Sequence, residues 1–455
     1  MQVMSRKSIL VLVPLLGLLG CEEEKKGPPP DPEFLPPAAE PLAPAPATRG
    51  IDLFVTTTLR NGFLDRVQQK QEFAKVGVVY EQLVSEYAIN TTGQLAQSRL
   101  SKRIDDFYSD DVLGPILTAF DQRIWVVEPM RLDQKWLVDA ERGTRNDPAT
   151  REGFLNFGDP DYREAALERI TEAFDGGAYV PTAVVIGSEM ERYYQLNPSD
   201  WPNFVTFAAE ARSAIQAINP AIEVSVGVNW SNFMEEVAPA FIGIPHDAPE
   251  CETDDACKEG ESCRLNFCAP TQTEGEGCET SADCAEGELC VESQCGELNF
   301  VAVQNAWRRV LDPLLYDPAT ATPRVDFYAF SSVPNPDLYS AGAEGIPDTH
   351  YAGIPTMFDE EPTRTLPVRW IRIGWPTTGA SEQTARFYDR FKQLNGGYTV
   401  SLVSWFGFVN ASTADCGILK STGTNGIGAD PSICSRGFYT PSGAPTGTLE
   451  TGFWQ

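Results

Sequence analysis

Histidine is almost missing from this chain, with 2 residues in 455. His246 and His350 are too far apart for the H-x3-H spacing of a helical metal site. A His-based metal centre or catalytic triad is therefore not expected, nor is any metal or cofactor. Cations are scarce as well: 35 Lys and Arg face 64 Asp and Glu, a formal charge of −29. Nucleic acid and anionic lipid surfaces both need clustered cations, so neither is an expected partner, whereas neutral or cationic ligands are compatible. A solvated acidic surface outside the cell accounts for most of the excess. Beyond the N-terminus no apolar run is long enough for a transmembrane helix. No Gly-rich phosphate loop follows an early strand, which counts against an open doubly wound sheet.

What the chain does have begins at its start. "MQVMSRKS" is short and basic, and "ILVLVPLLGLL" is apolar but too short to span a bilayer. That order predicts a secretory signal over residues 1–20. Leu18-Leu19-Gly20-Cys21 resembles a bacterial lipobox. The resemblance implies cleavage before Cys21, acylation of its thiol and an anchored mature protein. Glu22 in the second mature position favours the outer membrane, so the expected address is the cell envelope, lipid-anchored, at the outer membrane or cell surface. Residues 21–50 are Pro-rich and predict a semi-stiff tether.

Eight of the 11 cysteines form one repeated pattern. Cys251, Cys257, Cys263 and Cys268, then Cys278, Cys284, Cys290 and Cys295, both read C-x5-C-x5-C-x4-C. The regularity predicts two small units, each with two disulfides whose order the spacing leaves open. The pattern resembles Cys-rich repeats of secreted myxobacterial proteins. Zinc would need narrower spacers and reduced thiols, and export oxidises them. The repeats are acidic and nearly free of aliphatic residues, so bridges must replace a core. Cys416 and Cys434 remain, and they are expected to pair across the loop after the last strand.

With residues 250–296 set aside as an insert, residues 51–249 and 297–455 alternate strand and helix. "GIDLFVTTT", "KVGVVYEQL", "RIWVVEPM", "TAVVIGSEM", "EVSVGVNW", "RVDFYAFSSV", "VRWIRIGW" and "TVSLVSWFGFV" read as eight strands. Between them residues 102–120 read as one helix. An Asp-Pro start opens another, with its stripe at Tyr162, Ala166, Ile170 and Phe174. A third carries Phe204, Phe207, Ala208, Ala211, Ile215 and Ile218 and stops at Pro220. The expected fold class is α/β, a (β/α)8 TIM barrel with a small disulfide-rich insertion after strand five; an open doubly wound sheet is the alternative.

A barrel of this kind works at the C-terminal ends of its strands. That rule selects Glu128, Ser188, Glu189, Trp230, Ser331, Arg372, Trp375 and Trp405. Strand alternation puts Val185, Gly187 and Glu189 on one face, so Glu189 is expected to point into the mouth. Cleaving a glycosidic bond takes two carboxyl groups across the sugar. Trp230, Trp375 and Trp405, with Tyr193 and Tyr194, would suit stacking on sugar rings or would simply pack the rim.

"IGSEMERYYQLNPSDWPNFVTFAAEARSAIQAINPAIEVSVGV" resembles the strand-four segment of retaining (β/α)8 glycoside hydrolases of the endo-galactanase and endo-glucanase superfamily. The likeness continues through "DFYAFSSVPN", "GWPTTGASEQTARF" and "LVSWF". It implies that Glu189 matches the acid/base and that Ser188 replaces the Asn that holds the sugar 2-hydroxyl. Glu382 matches a helix-start Glu, and Arg372 falls where the nucleophilic Glu belongs. A guanidinium stays protonated and offers only donors, so it can neither attack an anomeric carbon nor activate water. Glu128 could supply a second carboxylate for an inverting route, or serve as a structural acid paired with an Arg. Asp359, Glu360 and Glu361 lie at the wrong end of strand seven.

Three functions follow as expectations. The first is a catalytically degenerate barrel that engages polysaccharide or glycan, with Glu189 and Arg372 ion-paired across the mouth. The second is an active hydrolase using Glu189 and a non-standard second carboxylate. The third is a cell-surface scaffold whose Cys-rich insert contacts a protein partner.

Overall fold

A computed structural model describes residues 48–455, except 54–58, 60–61, 83, 86–97, 131–136, 138–154, 176–179, 272–287, 292–293, 318, 321, 340, 361–365, 377–381, 421–433 and 455. Cys21, Cys278 and Cys284 lie outside the described residues.

Eight strands form the barrel: β1 (Thr48–Asp52), β2 (Ala74–Gln82), β3 (Gln122–Glu128), β4 (Ala183–Ile186), β5 (Glu223–Asn229), β6 (Tyr328–Ser332), β7 (Val368–Ile373) and β8 (Val400–Phe406). Each pairs in parallel with its sequence neighbour, and β8 closes onto β1 through pairs such as Asp52 with Phe406. The closed sheet settles the choice against a doubly wound one. Alternate residues fill its interior, among them Val76, Val78 and Tyr80 of β2, Ile124 and Val126 of β3, and Ala183 and Val185 of β4. Each fully buried aliphatic side chain contributes about 1.5–3 kcal/mol, so the barrel is a packed core rather than a channel.

Helices cover the outside: α1 (Leu64–Lys70), α2 (Leu100–Ser109), α3 (Leu113–Thr118), α4 (Pro160–Phe174), α5 (Trp201–Ile218), α6 (Phe300–Ala306), α7 (Gly353–Glu360) and α8 (Glu382–Leu394). Helix α4 starts at an Asp159 cap that accepts the Asp161 N–H, and its stripe of Tyr162, Ala166, Ile170 and Phe174 is buried as expected. Helix α5 ends at Ile218, ahead of Pro220, although Ile218 itself is only half-buried. The single helix expected over residues 102–120 is two. Asp110 turns its side chain back on the chain and accepts the N–H groups of Val112 and Leu113, which starts α3 afresh.

The insert follows β5. Its first repeat is a hairpin, Glu261–Arg264 against Phe267–Pro270, turned by Leu265 and Asn266 with φ of 51° and 67°. Both central residues lie in the left-handed region, which matches the twist of paired strands. The bridges are Cys251–Cys263 and Cys257–Cys268, and Cys416–Cys434 pair as expected. Sulfurs of Cys251, Cys257 and Cys268 cluster within 4.8 Å, but all three are spent in disulfides, which leaves no thiolate for zinc. The second repeat reproduces the hairpin at Glu288–Val291 and Gln294–Glu297, with Cys290 opposite Cys295 as Cys263 is opposite Cys268. No helix among the described residues is long and apolar enough to cross a membrane.

Candidate functional site

The ends of β7 and β1 meet around a buried cation. Strand β7 pairs Trp370 with Phe330 but Arg372 with Ser331, so Ile371 is an extra residue in the ladder. A bulge of this kind re-aims the next side chain. Ile371 packs in the barrel interior, and Arg372 also turns inward, 5% exposed. Its Nε donates to Asp52 Oδ2, and its Cζ lies 4.3 Å from the ring centres of both Tyr80 and Phe406. Asp52 is fully buried; burial raises its carboxyl above the usual range while Arg372 pulls it back. The ion pair expected between Glu189 and Arg372 is not formed, because each has another partner. Glu189 takes Arg192, with Oε2 accepting from Nε at 2.7 Å.

From β3 round to β6 the rim is built of carboxyls that receive neutral donors. Glu128 is fully buried; Oε1 accepts the Met130 N–H at 3.0 Å, and Oε2 accepts the Ser188 N–H at 3.0 Å and hydroxyl at 2.7 Å. Its partner is thus Ser188 and backbone, not an Arg. Burial pushes Glu128 up to about 7. Glu191, also fully buried, accepts the Asn229 N–H at 3.0 Å and Asn232 Nδ2 at 2.9 Å, and burial beside Glu189 raises it well above the carboxylate range. Glu235 lies in a π-helical turn, Phe233–Val237, and accepts the Asn335 N–H at 2.9 Å and the Tyr339 hydroxyl at 2.7 Å. Burial pushes it up to about 8.

Glu189 itself leaves β4 through Gly187, whose φ of +68° no side chain could take without strain, and where a Cβ would sit 2.2 Å from Met190 Sδ. Its side chain is 16% exposed and that of Arg192 32%. Burial works against the Arg192 charge, but Glu189, Glu191 and Glu236 outweigh it and raise the guanidinium's pKa. Tyr80 stands between the two sides: burial raises its hydroxyl, Glu128 and Glu189 raise it further, and Arg372 opposes them.

The aromatic residues do not form the stacking platform. Trp230 is fully buried and its indole N–H donates to the His350 carbonyl at 2.7 Å. Trp405 is fully buried and bonds the Arg436 carbonyl at 2.7 Å. Trp375 packs on Phe387 and Tyr339, Tyr193 on Phe157, and Tyr194 on Trp201, all buried. Large apolar rings at strand ends gain more from packing under the rim than from facing water. Ser188 is buried too, its hydroxyl committed to Glu128. Glu382 begins α8 and pairs with Arg386 on the surface. His350 bonds Ser231 at 3.3 Å, and burial lowers it to about 3, so it stays neutral.

Asp52, Glu191 and Glu235 were not among the residues picked from sequence. Asp52 closes the "GID" of β1 and falls under the strand-end rule; Glu191 opens the short helix Glu191–Leu196 and Glu235 lies in its π-helical turn, both past the strand ends that the rule covers.

Barrel and rim together define a closed (β/α)8 protein with carboxyls gathered at the C-terminal ends of its strands. No family model matches the chain. No curated protein sequence matches it either. Among solved structures it is similar to the GH53 catalytic domain of Ignisphaera aggregans, at 10% identity and a TM-score of 0.47, over 92% of this chain and 98% of that one. It is similar to the exo-beta-1,4-mannosidase Op5Man5 of Opitutaceae bacterium strain TAV5, at 10% identity and a TM-score of 0.45, over 90% of this chain but 58% of the mannosidase. A third is CJP38, a beta-1,3-glucanase and allergen of Cryptomeria japonica pollen, at 10% identity and a TM-score of 0.40, over 88% and 97%.

Proposed function

We propose that this protein is an exported, lipid-anchored barrel that binds a glycan at its mouth and does not cleave it by double displacement. The observation that carries the reading is Arg372, held at the end of β7 by Asp52 and sandwiched between Tyr80 and Phe406. A permanent cation there has no lone pair for an anomeric carbon. Losing a nucleophile removes on the order of four kcal/mol or more of transition-state stabilisation. Glu128 does not replace it, because both its oxygens already hold donors. Glu189 by itself is one of the two carboxyl groups that glycoside hydrolysis needs.

The same geometry suits binding. Glu189, Arg192, Gln195 and Glu236 present acceptors and donors close together, with Gln195 Nε2 reaching Glu236 Oε2 at 3.5 Å. Alternating donors and acceptors match the vicinal hydroxyls of a neutral sugar. Export through Cys21 is supported by the bridged cysteines, which belong to an oxidising compartment.

The test uses purified protein and a panel of polysaccharides, read by pull-down and by release of reducing ends. Binding without release, weakened in Glu189→Gln, is expected. Release of sugar that Glu189→Gln abolishes would sink the reading.

A further inference from the structure

A cavity of about 220 Å3 lies on the outer wall of the barrel, away from the mouth. Tyr328 opens β6, whereas the rim residues Ser331 and Ser332 end it, and Tyr328 alternates with the inward-facing Ala329. Its ring therefore faces outward and stacks on Phe358 of α7, with centres 4.9 Å apart and planes at 16°. Trp307 meets Phe358 edge-on at 6.2 Å. These three rings line the cavity together with His246, Arg308 and Asp312.

Helix α6 runs into a π-helical turn at Trp307–Leu311. Extra residues of this kind recur at functional positions. Here Trp307, Arg308 and Asp312 all border the same cavity. The insert takes part as well. Arg308 Nη1 donates to the His246 carbonyl at 3.1 Å, and its Cζ lies 5.0 Å over the ring of Phe267, a fully buried residue of the first Cys-rich hairpin.

We propose that this cavity is a second sugar site, which takes a single neutral pyranose ring and is completed by the Cys-rich insert. Arg308 offers only donors and Asp312 only acceptors, so adjacent hydroxyls add to the contacts each already makes, while the half-buried Trp307 ring receives a C–H face. The two formal charges cancel, which disfavours phosphates and other strongly charged ligands. The cavity volume of about 220 Å3 leaves room for one ring. The insert thereby gains a role: it holds Arg308 in place. None of this depends on what the barrel mouth binds.

The experiment is calorimetric titration of the full-length protein with methyl glucoside, mannoside and galactoside. Wild type is compared with Trp307→Ala, Asp312→Asn and Glu189→Gln. At least one glycoside is expected to bind, with affinity at this cavity lowered about tenfold or more in Trp307→Ala and Asp312→Asn, while Glu189→Gln removes only binding at the mouth and leaves the cavity component of the titration in place. Asp312 is half-buried, so its isosteric variant keeps the test valid if Trp307→Ala does not fold. Absence of binding to all three glycosides overturns the proposal. So does a loss confined to Glu189→Gln, which would put the sugar at the mouth, and so does saturable binding of free phenylalanine in place of any glycoside.

Discussion

On one side of the barrel mouth a carboxylate meets a cation; on the other, three carboxyls meet mainly neutral donors. Asp52 reaches Arg372 across the intervening β8, over the ring of Phe406. Glu128, Glu191 and Glu235 instead step from strand to strand, each taking an N–H from the loop of the next: Ser188 after β4, Asn229 at the end of β5, Asn335 after β6. The steps form a continuous belt of loop contacts. Both devices pin the rim, by different physics. A buried ion pair depends on both members being present, whereas a buried carboxyl with neutral donors can be protonated and stay in place.

That difference makes the cationic side the more fragile to mutation. Asp52→Ala strands the Arg372 charge in the interior, and breaking such a pair costs about 3–5 kcal/mol. Urea denaturation should show the loss as a lower midpoint with an unchanged slope. The double variant Asp52→Asn with Arg372→Met removes both charges and should recover most of the stability. A neutral Asp52→Ala would erase the contrast between the two sides.

The carboxyl side should answer to pH instead. Glu128 is raised from an ordinary 4.5 to about 7, and Glu235 to about 8. Above 4.5 the folded chain holds protons on these carboxyls that the unfolded chain has released, so they take stability away as pH rises toward 8, and His350, neutral when folded, offsets part of that fall up to about pH 6.5. Glu128 alone accounts for about 3 kcal/mol of that fall. Melting curves at pH 5, 6.5 and 8 should show the highest transition at pH 5. Glu128→Gln, which cannot titrate, should flatten the slope. A transition that rises toward pH 8 would contradict the belt of raised carboxyls.

The barrel was legible because its signals are local and repeated. Alternation marked all eight strands, and the Tyr162 to Phe174 stripe marked one face of α4. The Cys416–Cys434 bridge followed from having two cysteines left over. The site was harder, since its determinants are either distant or a matter of register. Arg372 was noticed, but its partner lies 320 residues away, and the bulge at Ile371 that turns it inward leaves no mark in composition. Trp230 and Trp405 illustrate a second limit: a tryptophan at a strand end reads the same whether loops roof it or not. Glu128 was weighed as a base or as the partner of an Arg, while a serine hydroxyl and two backbone N–H groups were what it needed.

Two smaller effects sharpen the contrast from the loop that follows β4. Ser188→Ala deletes the shortest of the Glu128 hydrogen bonds, 2.7 Å, but leaves both backbone donors, so the cost should be about 1–2 kcal/mol. Glu128 would then bind its proton more tightly, and the pH-dependent fall would shift upward. Its neighbour Glu189 should behave otherwise. Paired with Arg192 at a partly exposed surface, it contributes less than about 1 kcal/mol, and Glu189→Gln should barely move the urea midpoint. The same substitution should weaken glycan binding at the mouth, because the carboxylate is a charged acceptor for hydroxyls and the amide a neutral one. Unchanged stability with lost binding separates Glu189 from the belt beside it. Lost stability would make it one more staple of the rim.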